Sequence, residues 1–411
     1  MARLRILDVQ GRVPYPLHDG GALGMWIVTE MLSRRPDVEY AVVAMNTARH
    51  WVELETIADI YRSIPHWWAR VDNRITPHGA LANLLGSKPY HISRFVSPAF
   101  AELLTSAIRS FRPDVVLLQG LPLTHYVPVI RSATDAAIVY HAHNVEYRIW
   151  QRLVAAESNR LKRLYLAEQV RRLERYERAI LTDGRLDAVV TFTRTDAEAI
   201  RSLGFSGAVH VKPFAVPLEK YHPSYAPETL PTLFHIGSLE WQPNRNGIEW
   251  FVREVLPQVR REFPAAEFHV AGFLPERYRL PTSAGVVVHG RVPDAAQFMQ
   301  QRSVLVVPLR AGSGVRVKIV EAMAIGKAIV STRIGAEGIE CEPGRDMFIA
   351  DTTEDFARCV CRLLGDRDAI ETLGRNARRF AETNHDLLTV GGKLADFLSQ
   401  VAARRRSAPA A

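Results

Sequence analysis

Short apolar runs alternate along the chain with longer stretches in which apolar positions recur at helical spacing, and the alternation appears in both halves. In the first half the runs are LRILDV (4–9), EYAVVAM (39–45), DVVLLQ (114–119), AAIVYHA (136–142), DAVVTF (187–192) and AVHVKPF (208–214). In the second they are TLFHIG (232–237), EFHVAG (267–272), GVVVHG (285–290), SVLVVPL (303–309), AIVST (328–332) and DMFIA (346–350). Near-continuous apolar strands separated by helices are what a parallel sheet covered on both faces requires. Two such series predict an α/β protein of two Rossmann-like, doubly wound domains. The proline-rich, unpatterned stretch 213–231 predicts a linker. The expected domains are therefore 1–216 and 217–386, followed by a helix and a frayed basic tail over 387–411. Residues 46–98 show no comparable pattern and read as irregular loops.

Open parallel sheets bind ligands beyond the carboxyl ends of their strands, so residues just after the runs are the candidates for chemistry. The most informative segment is PLRAGSGVRVKIVEAMAIGKAIVST (308–332). After the strand, Gly312, Ser313 and Gly314 make a small loop, and a helix is predicted from near Val315 to Gly326. Glycines let backbone approach an anion, and a helix N-terminus offers unpaired N–H groups with partial positive charge. Arg316 and Lys318 fall in the predicted first turn, where cations oppose the dipole unless an anion is present. Lys318 and Glu321 are three apart and share a face, so a diphosphate and sugar hydroxyls suit one pocket. The alternative is a solvated surface turn with a Lys–Glu pair.

Three further loops follow strands. In FHIGSLEWQPNRNGIEWF (234–251), Gly237 and Ser238 end the strand, and Asn244 and Asn246 precede a helix. Trp250 reads as core, while Trp241 suits core or site. In HAHNVEYRIW (141–150), His141 and His143 lie two apart in an extended run and can point the same way, with Glu146 close behind. In PYPLHDGGALG (14–24), Gly20 and Gly21 open a helix. This loop lacks the GxGxxG spacing of dinucleotide binders, and no GxxxxGK[ST] occurs, which weakens dehydrogenase and NTPase readings.

Composition narrows the partners. The chain has 411 residues, 47% hydrophobic and 23% charged, which is ordinary for a globular protein. A formal charge of +8 suits an anionic partner, and with no nucleic-acid-reading signature, nucleic acid is not expected. Three cysteines, Cys341, Cys359 and Cys361, without CxxC indicate neither a disulfide framework nor a zinc site. No apolar stretch approaches the ~18 residues that span a bilayer, and the N-terminal run is too short for a signal peptide. The expectation is a cytoplasmic protein. The basic helical segment 160–178 is a candidate for peripheral contact with an anionic membrane, against the plainer reading of a solvated helix.

Taken together these segments resemble the family 4 glycosyltransferases, of bacterial group 1 type, which have the GT-B fold of two Rossmann-like domains facing a cleft. The family motif is glutamate, seven residues, glutamate, then Ala-Met-Ala. Its second half is present as Glu321, Ala322, Met323 and Ala324, whereas the first glutamate is replaced by Ser313. The resemblance implies that Arg316 and Lys318 clamp a diphosphate, that His143 lies near the transferring sugar, and that Gly20 and Gly21 face the donor phosphates. It also implies that Gly290, Arg291 and Val292, after the third strand of the second series, hold the nucleobase. Gly335, Glu337 and Gly338 form a weaker candidate loop. The implied activity is retaining transfer from a nucleotide sugar to a hydroxyl acceptor, a glycan or lipid-linked glycan, in polysaccharide or glycolipid synthesis. No DxD ends a strand in the second half, so no obligatory metal or other cofactor is expected. Two other readings stay open. One is another GT-B enzyme, such as a sugar-nucleotide epimerase; the other is a non-catalytic nucleotide-sugar-binding protein, which Ser313 favours.

Overall fold

The structure is a computed structural model that describes all residues except 1–2, 18–19, 54–55, 58, 226–231, 282, 313 and 408–411. Contacts divide the chain into two units, Met1–Lys212 with Val390–Ala411, and Pro213–Thr389.

The first unit is built on a seven-stranded parallel sheet. Its strands are β1 (Leu4–Gln10), β2 (Val38–Thr47), β3 (His66–Val71), β4 (Val115–Gln119), β5 (Ala137–Ala142), β6 (Ala188–Thr191) and β7 (Ala208–Val211), in the order β3-β2-β1-β4-β5-β6-β7. The central strands are buried along their whole length, as β4 and β5 show, so each appears in the sequence as an unbroken apolar run. β3 was not expected, since 46–98 reads as loops. It is an edge strand whose side chains are mostly half-exposed, and His66 and Arg70 interrupt the apolar residues of HWWARV.

The second unit holds a six-stranded parallel sheet of β8 (Leu233–Ile236), β9 (Phe268–Ala271), β10 (Val286–Gly290), β11 (Val304–Val307), β12 (Ala328–Ser331) and β13 (Phe348–Ile349). Their order is β10-β9-β8-β11-β12-β13. Phe251 packs its ring 4.6 Å from Phe268 and 5.8 Å from Phe356, tying helix to sheet in this core. Trp250 is buried in the same cluster, as its sequence context suggested.

In each sheet the strand order reverses once, between β1 and β4 and between β8 and β11. Such a switch point splays the loops to either side and leaves a crevice at the strands' carboxyl ends. The two crevices are where the candidate residues must be sought.

The linker expected at 213–231 is not a free tether in its described part. Ser224 donates its backbone N–H to Ile325 at 2.8 Å, and Arg375 lies 4.6 Å over the Tyr225 ring, both within the second unit. The terminal helix runs Leu387–Ser407 and from Val390 onward belongs to the first unit. Its basic end, expected to fray, is helical, because Arg406 pairs with Asp114 at 2.9 Å and Arg405 with Asp187 at 3.8 Å.

Candidate functional site

At the switch point of the second unit, β8 is followed by Gly237, whose φ of +150° lies in the glycine region. A Cβ there would stand 2.6 Å from Lys318 Nζ and 3.0 Å from Asn244 Nδ2, so the missing side chain is the space those groups occupy. Lys318 comes from the helix Val317–Ile325, which follows β11; among the described residues no side-chain cap hydrogen bond closes its N-terminus and no acid sits in its first turn. Lys318 Nζ donates to His235 Nε2 at 2.8 Å and to Asn244 Oδ1 at 3.2 Å. Asn244 is itself fixed, its Nδ2 donating to Ser238 O at 2.8 Å. His235 Nδ1 lies 2.9 Å from Val306 O, a carbonyl that can only accept. Nδ1 therefore carries the proton, and Nε2 is the acceptor for the lysine.

Burial, with the Arg316 charge adding to it and Glu321 opposing it, brings the Lys318 ammonium down to about 7. Burial and the neighbouring Lys318 push His235 well below its usual value, so its ring is neutral. Glu321, one turn along the helix, is raised to about 7 by burial, while a hydrogen bond from the Tyr221 hydroxyl to Oε1 at 3.0 Å and the Lys318 charge act against that rise. Lys318 and Glu321 thus share one face, as their spacing required.

Arg316 departs from its predicted place. Its backbone is extended (φ −86°, ψ 94°), so it stands at the position before the helix and the first turn begins at Val317, not near Val315. Gly314 with φ +84° breaks the helical path before it. The Arg316 side chain folds back into the loop: Nη1 donates to Gly314 O at 2.6 Å, and the guanidinium lies 5.1 Å over the Trp241 ring. Gly312, φ +122°, closes this packing, since a Cβ would come within 2.9 Å of Arg316 Nη2 and 3.0 Å of the indole. Trp241 is 39% exposed, so it is a lid on the arginine rather than core. Ser313, the position of the missing glutamate, lies outside the described residues.

Three neighbouring strand ends converge on glycine. Gly290 ends β10 with φ +65°, and its carbonyl accepts the Gly272 N–H at 2.7 Å. Gly272, φ +136°, presses against Gly237, where a Cβ would lie 2.0 Å from the Gly237 oxygen. Val292 follows two residues on, half-buried, and Ser238 is exposed past Gly237. Since β10 is the outer strand, β9 and β8 separate Gly290 and Val292 from the Lys318 loop.

The first unit gathers different groups. Gln119, at the end of β4, accepts on Oε1 from His141 Nδ1 at 2.7 Å and His143 Nε2 at 2.9 Å. Its amide donates to Asp8 Oδ1 at 2.9 Å, and Asp8 Oδ2 accepts from the Tyr40 hydroxyl at 2.6 Å and Gln10 Nε2 at 2.7 Å. Burial raises Asp8 to about 6 and lowers His143 to about 3, with Lys212 and Arg12 adding to the latter. His143 is therefore neutral, with Nδ1 as its acceptor nitrogen. The Phe192 ring sits against both histidines, 4.8 and 5.6 Å between centroids, and Lys212 Nζ lies 4.4 Å over the same ring. Glu146 opens the helix Glu146–Ala156 and burial raises it to about 7. Gly20 opens the helix Gly20–Ser33 with Gly21 next, and a Cβ at Gly20 would meet nothing within 4 Å.

Of the residues named from the sequence, the structure brings Lys318, Asn244, Glu321 and Gly237 together in one unit and sets His143 on Gln119 in the other; their neighbours His235, Gly272, Tyr221 and Gln119 were not named. His235 did leave a signal, a lone polar residue inside the buried run LFHI. Tyr221 left none, because its segment has no pattern.

Residues 230–366 match the family model of Glycosyl transferases group 1. Across nearly the whole chain the fold is that of GT-B glycosyltransferases. Sucrose-phosphate synthase from Thermosynechococcus elongatus superposes with a TM-score of 0.70 at 14% identity, covering 98% of this chain and 100% of that one. HepE from Anabaena, in complex with UDP-glucose, gives 0.63 at 15% identity over 97% and 100%. WaaG, a glycosyltransferase involved in lipopolysaccharide biosynthesis, gives 0.59 at 14% identity over 96% and 99%. An uncharacterized 44.6 kDa protein in the cps region of Klebsiella pneumoniae is 24% identical over 161 residues, 37% of this chain and 42% of that protein. The chain therefore matches about two fifths of that curated relative's length. No helix among the described residues is long and apolar enough to cross a membrane.

Proposed function

We propose that this chain, a GT-B protein with a Glycosyl transferases group 1 domain over residues 230–366, is a retaining glycosyltransferase. It would move a hexose from a nucleotide-sugar donor to a hydroxyl of a glycan or lipid-linked acceptor, in polysaccharide or glycolipid synthesis. The observation that carries this reading is the Lys318 ammonium, which among the described residues donates to the neutral acceptors His235 and Asn244 at the switch point of the second sheet. A cation whose hydrogen bonds among the described residues go to neutral acceptors, with the Glu321 carboxyl nearby but not bonded to it, is suited to the charge that builds on a departing diphosphate. The uncapped first turn of the helix Val317–Ile325 adds its partial positive charge. UDP-glucose bound to HepE, a protein of the same fold, supports the donor class.

In this scheme the bond from the anomeric carbon to the β-phosphate oxygen breaks with its electron pair going to the nucleoside diphosphate. The acceptor oxygen bonds the same face of that carbon, and its proton passes to the leaving phosphate. Glu321 receives hydroxyls of the sugar or ribose, and neutral His143 orients the sugar or the acceptor hydroxyl through Nδ1. Arg316 and Lys318 supply the positive charge, so the reaction needs no divalent metal. The relative in a cps region and the likeness to WaaG favour an envelope glycan as acceptor. Work on such an acceptor suits a cytoplasmic protein that touches the membrane's inner face.

Thermal stabilisation by a panel of nucleotide sugars tests the donor site. A ligand at 100 times its dissociation constant adds about 2.7 kcal/mol to stability, and Lys318→Ala should abolish that gain. Transfer assays with the identified donor, with and without a chelator, then read the anomeric configuration of the product by NMR. Silence from every nucleotide sugar and nucleoside diphosphate would defeat the donor assignment. Product formation without an acceptor would instead favour an epimerase.

A further inference from the structure

We infer that His235 is a positioning residue of the phosphate site: its neutral ring, anchored through Nδ1–H to Val306, presents Nε2 to Lys318 and fixes the ammonium without cancelling its charge. The inference rests on the reading that Lys318 meets the donor diphosphate.

His235 lies in β8, whose four residues are all buried. A polar ring there costs desolvation unless both nitrogens are satisfied. Both are, and by partners of opposite role: Nδ1–H donates to Val306 O at 2.9 Å, and Nε2 accepts from Lys318 at 2.8 Å. The β8–β11 ladder runs only through Leu233 and Phe234, so the histidine bridges the two strands just where their pairing stops. The tautomer is thus dictated by the backbone rather than by the ligand.

The choice of acceptor matters. A carboxylate at this distance would fix the ammonium more strongly but would neutralise it, leaving little for a diphosphate. Imidazole and the Asn244 amide oxygen use two of the three ammonium hydrogens and leave the net charge intact. Gly237 completes the slot by leaving room for Nζ, which a Cβ would approach to 2.6 Å. His235, Gly237 and Asn244 therefore act as one receptacle for one cation.

Titration calorimetry with a nucleoside diphosphate and with the bare nucleoside, on full-length protein, tests the idea. His235→Leu should weaken the diphosphate about tenfold and leave the nucleoside unchanged, while His235→Gln, which restores an acceptor, should recover most of the loss. In histidine labelled with nitrogen-15, the His235 resonance, identified by its absence from the Gln variant, should show Nδ1–H and an unprotonated Nε2. That Nε2 signal should shift in Lys318→Ala. A ring protonated on Nε2, or a Leu variant that binds the diphosphate like wild type while Lys318→Ala does not, overturns the inference and leaves the donor site standing. Wild-type protein that binds no nucleoside diphosphate overturns both.

Discussion

The carboxyl end of the first sheet and that of the second share a topology but solve opposite electrostatic problems. In the first, Asp8 is buried beneath Gln10, Tyr40 and Gln119, and two histidines hang from the same glutamine. The hydrogen bonds run inward, and both imidazoles are held neutral by burial. In the second, glycines bring three strand ends together and a lysine reaches across them to neutral acceptors. The first arrangement can orient a neutral group; the second presents to an anion a lysine that burial lowers to about 7 and that neutral acceptors hold. One fold therefore supports both roles, and the polar residues at the strand ends decide which sheet does what.

The largest expected effect concerns backbone packing. Gly272→Ala would put a Cβ 2.0 Å from the Gly237 oxygen at φ +136°, and should cost about 3 kcal/mol or more in urea denaturation. Gly20→Ala, with nothing within 4 Å, should change stability by less than about 1 kcal/mol. Equal effects would remove the distinction between a packed glycine cluster and an open one.

Next comes charge. Charge-assisted hydrogen bonds are worth about 1.5–3 kcal/mol, so Lys318→Ala should weaken a nucleoside diphosphate by about 100-fold. Gln119→Leu should leave that affinity within about threefold but slow turnover about tenfold or more, because His143 loses its anchor. Calorimetry and steady-state rates on the two variants separate these outcomes. The reverse pattern would exchange the roles of the two units.

The pH dependence sharpens the same contrast. Glu177 in the first unit is raised to about 8 by burial, so the folded chain holds a proton that the unfolded chain releases. Its contribution is complete below about 4.5 and is lost as pH rises through about 8. Lys327 in the second unit is lowered to about 7 by burial, so its contribution is complete above about 10.5 and is lost as pH falls through about 7. Chemical denaturation across pH should show Glu177→Gln flattening the first slope and Lys327→Met the second, each by about 1–3 kcal/mol. Asp8, Glu146 and Glu321 act in the sense of Glu177, and Lys212 and Lys318 in that of Lys327, so single variants are needed to resolve them.

The smallest effect is at Trp241. Removing the ring under Arg316 should cost about 1 kcal/mol of loop order, seen as a several-fold weaker nucleoside diphosphate. No change would mean that Gly312, Gly314 and the backbone hold Arg316 unaided.

Among the described residues, twelve of the thirteen strands stood in the sequence as apolar runs; inner strands such as β4 and β5 are buried throughout and have no polar side to interrupt them. β3 escaped because the exposed His66 and Arg70 break its run. Lys318, Glu321 and Asn244 were legible because they follow strands and share helical spacing, both local properties. The extended backbone of Arg316 was not, since its side chain is turned back by contacts with Trp241 and Gly314 that are distant or conformational. Nor could a linear reading pair His235 with Lys318 or Tyr221 with Glu321, 83 and 100 residues apart.

The sequence by itself determined the two parallel sheets and the loops that could bear chemistry, since periodicity and strand ends are written locally in residue order. Only the tertiary structure decided which side chains meet, which nitrogen of His235 and His143 carries the proton, and which acceptors hold Lys318. Those outcomes depend on hydrogen bonds and desolvation that exist only once distant strands lie side by side.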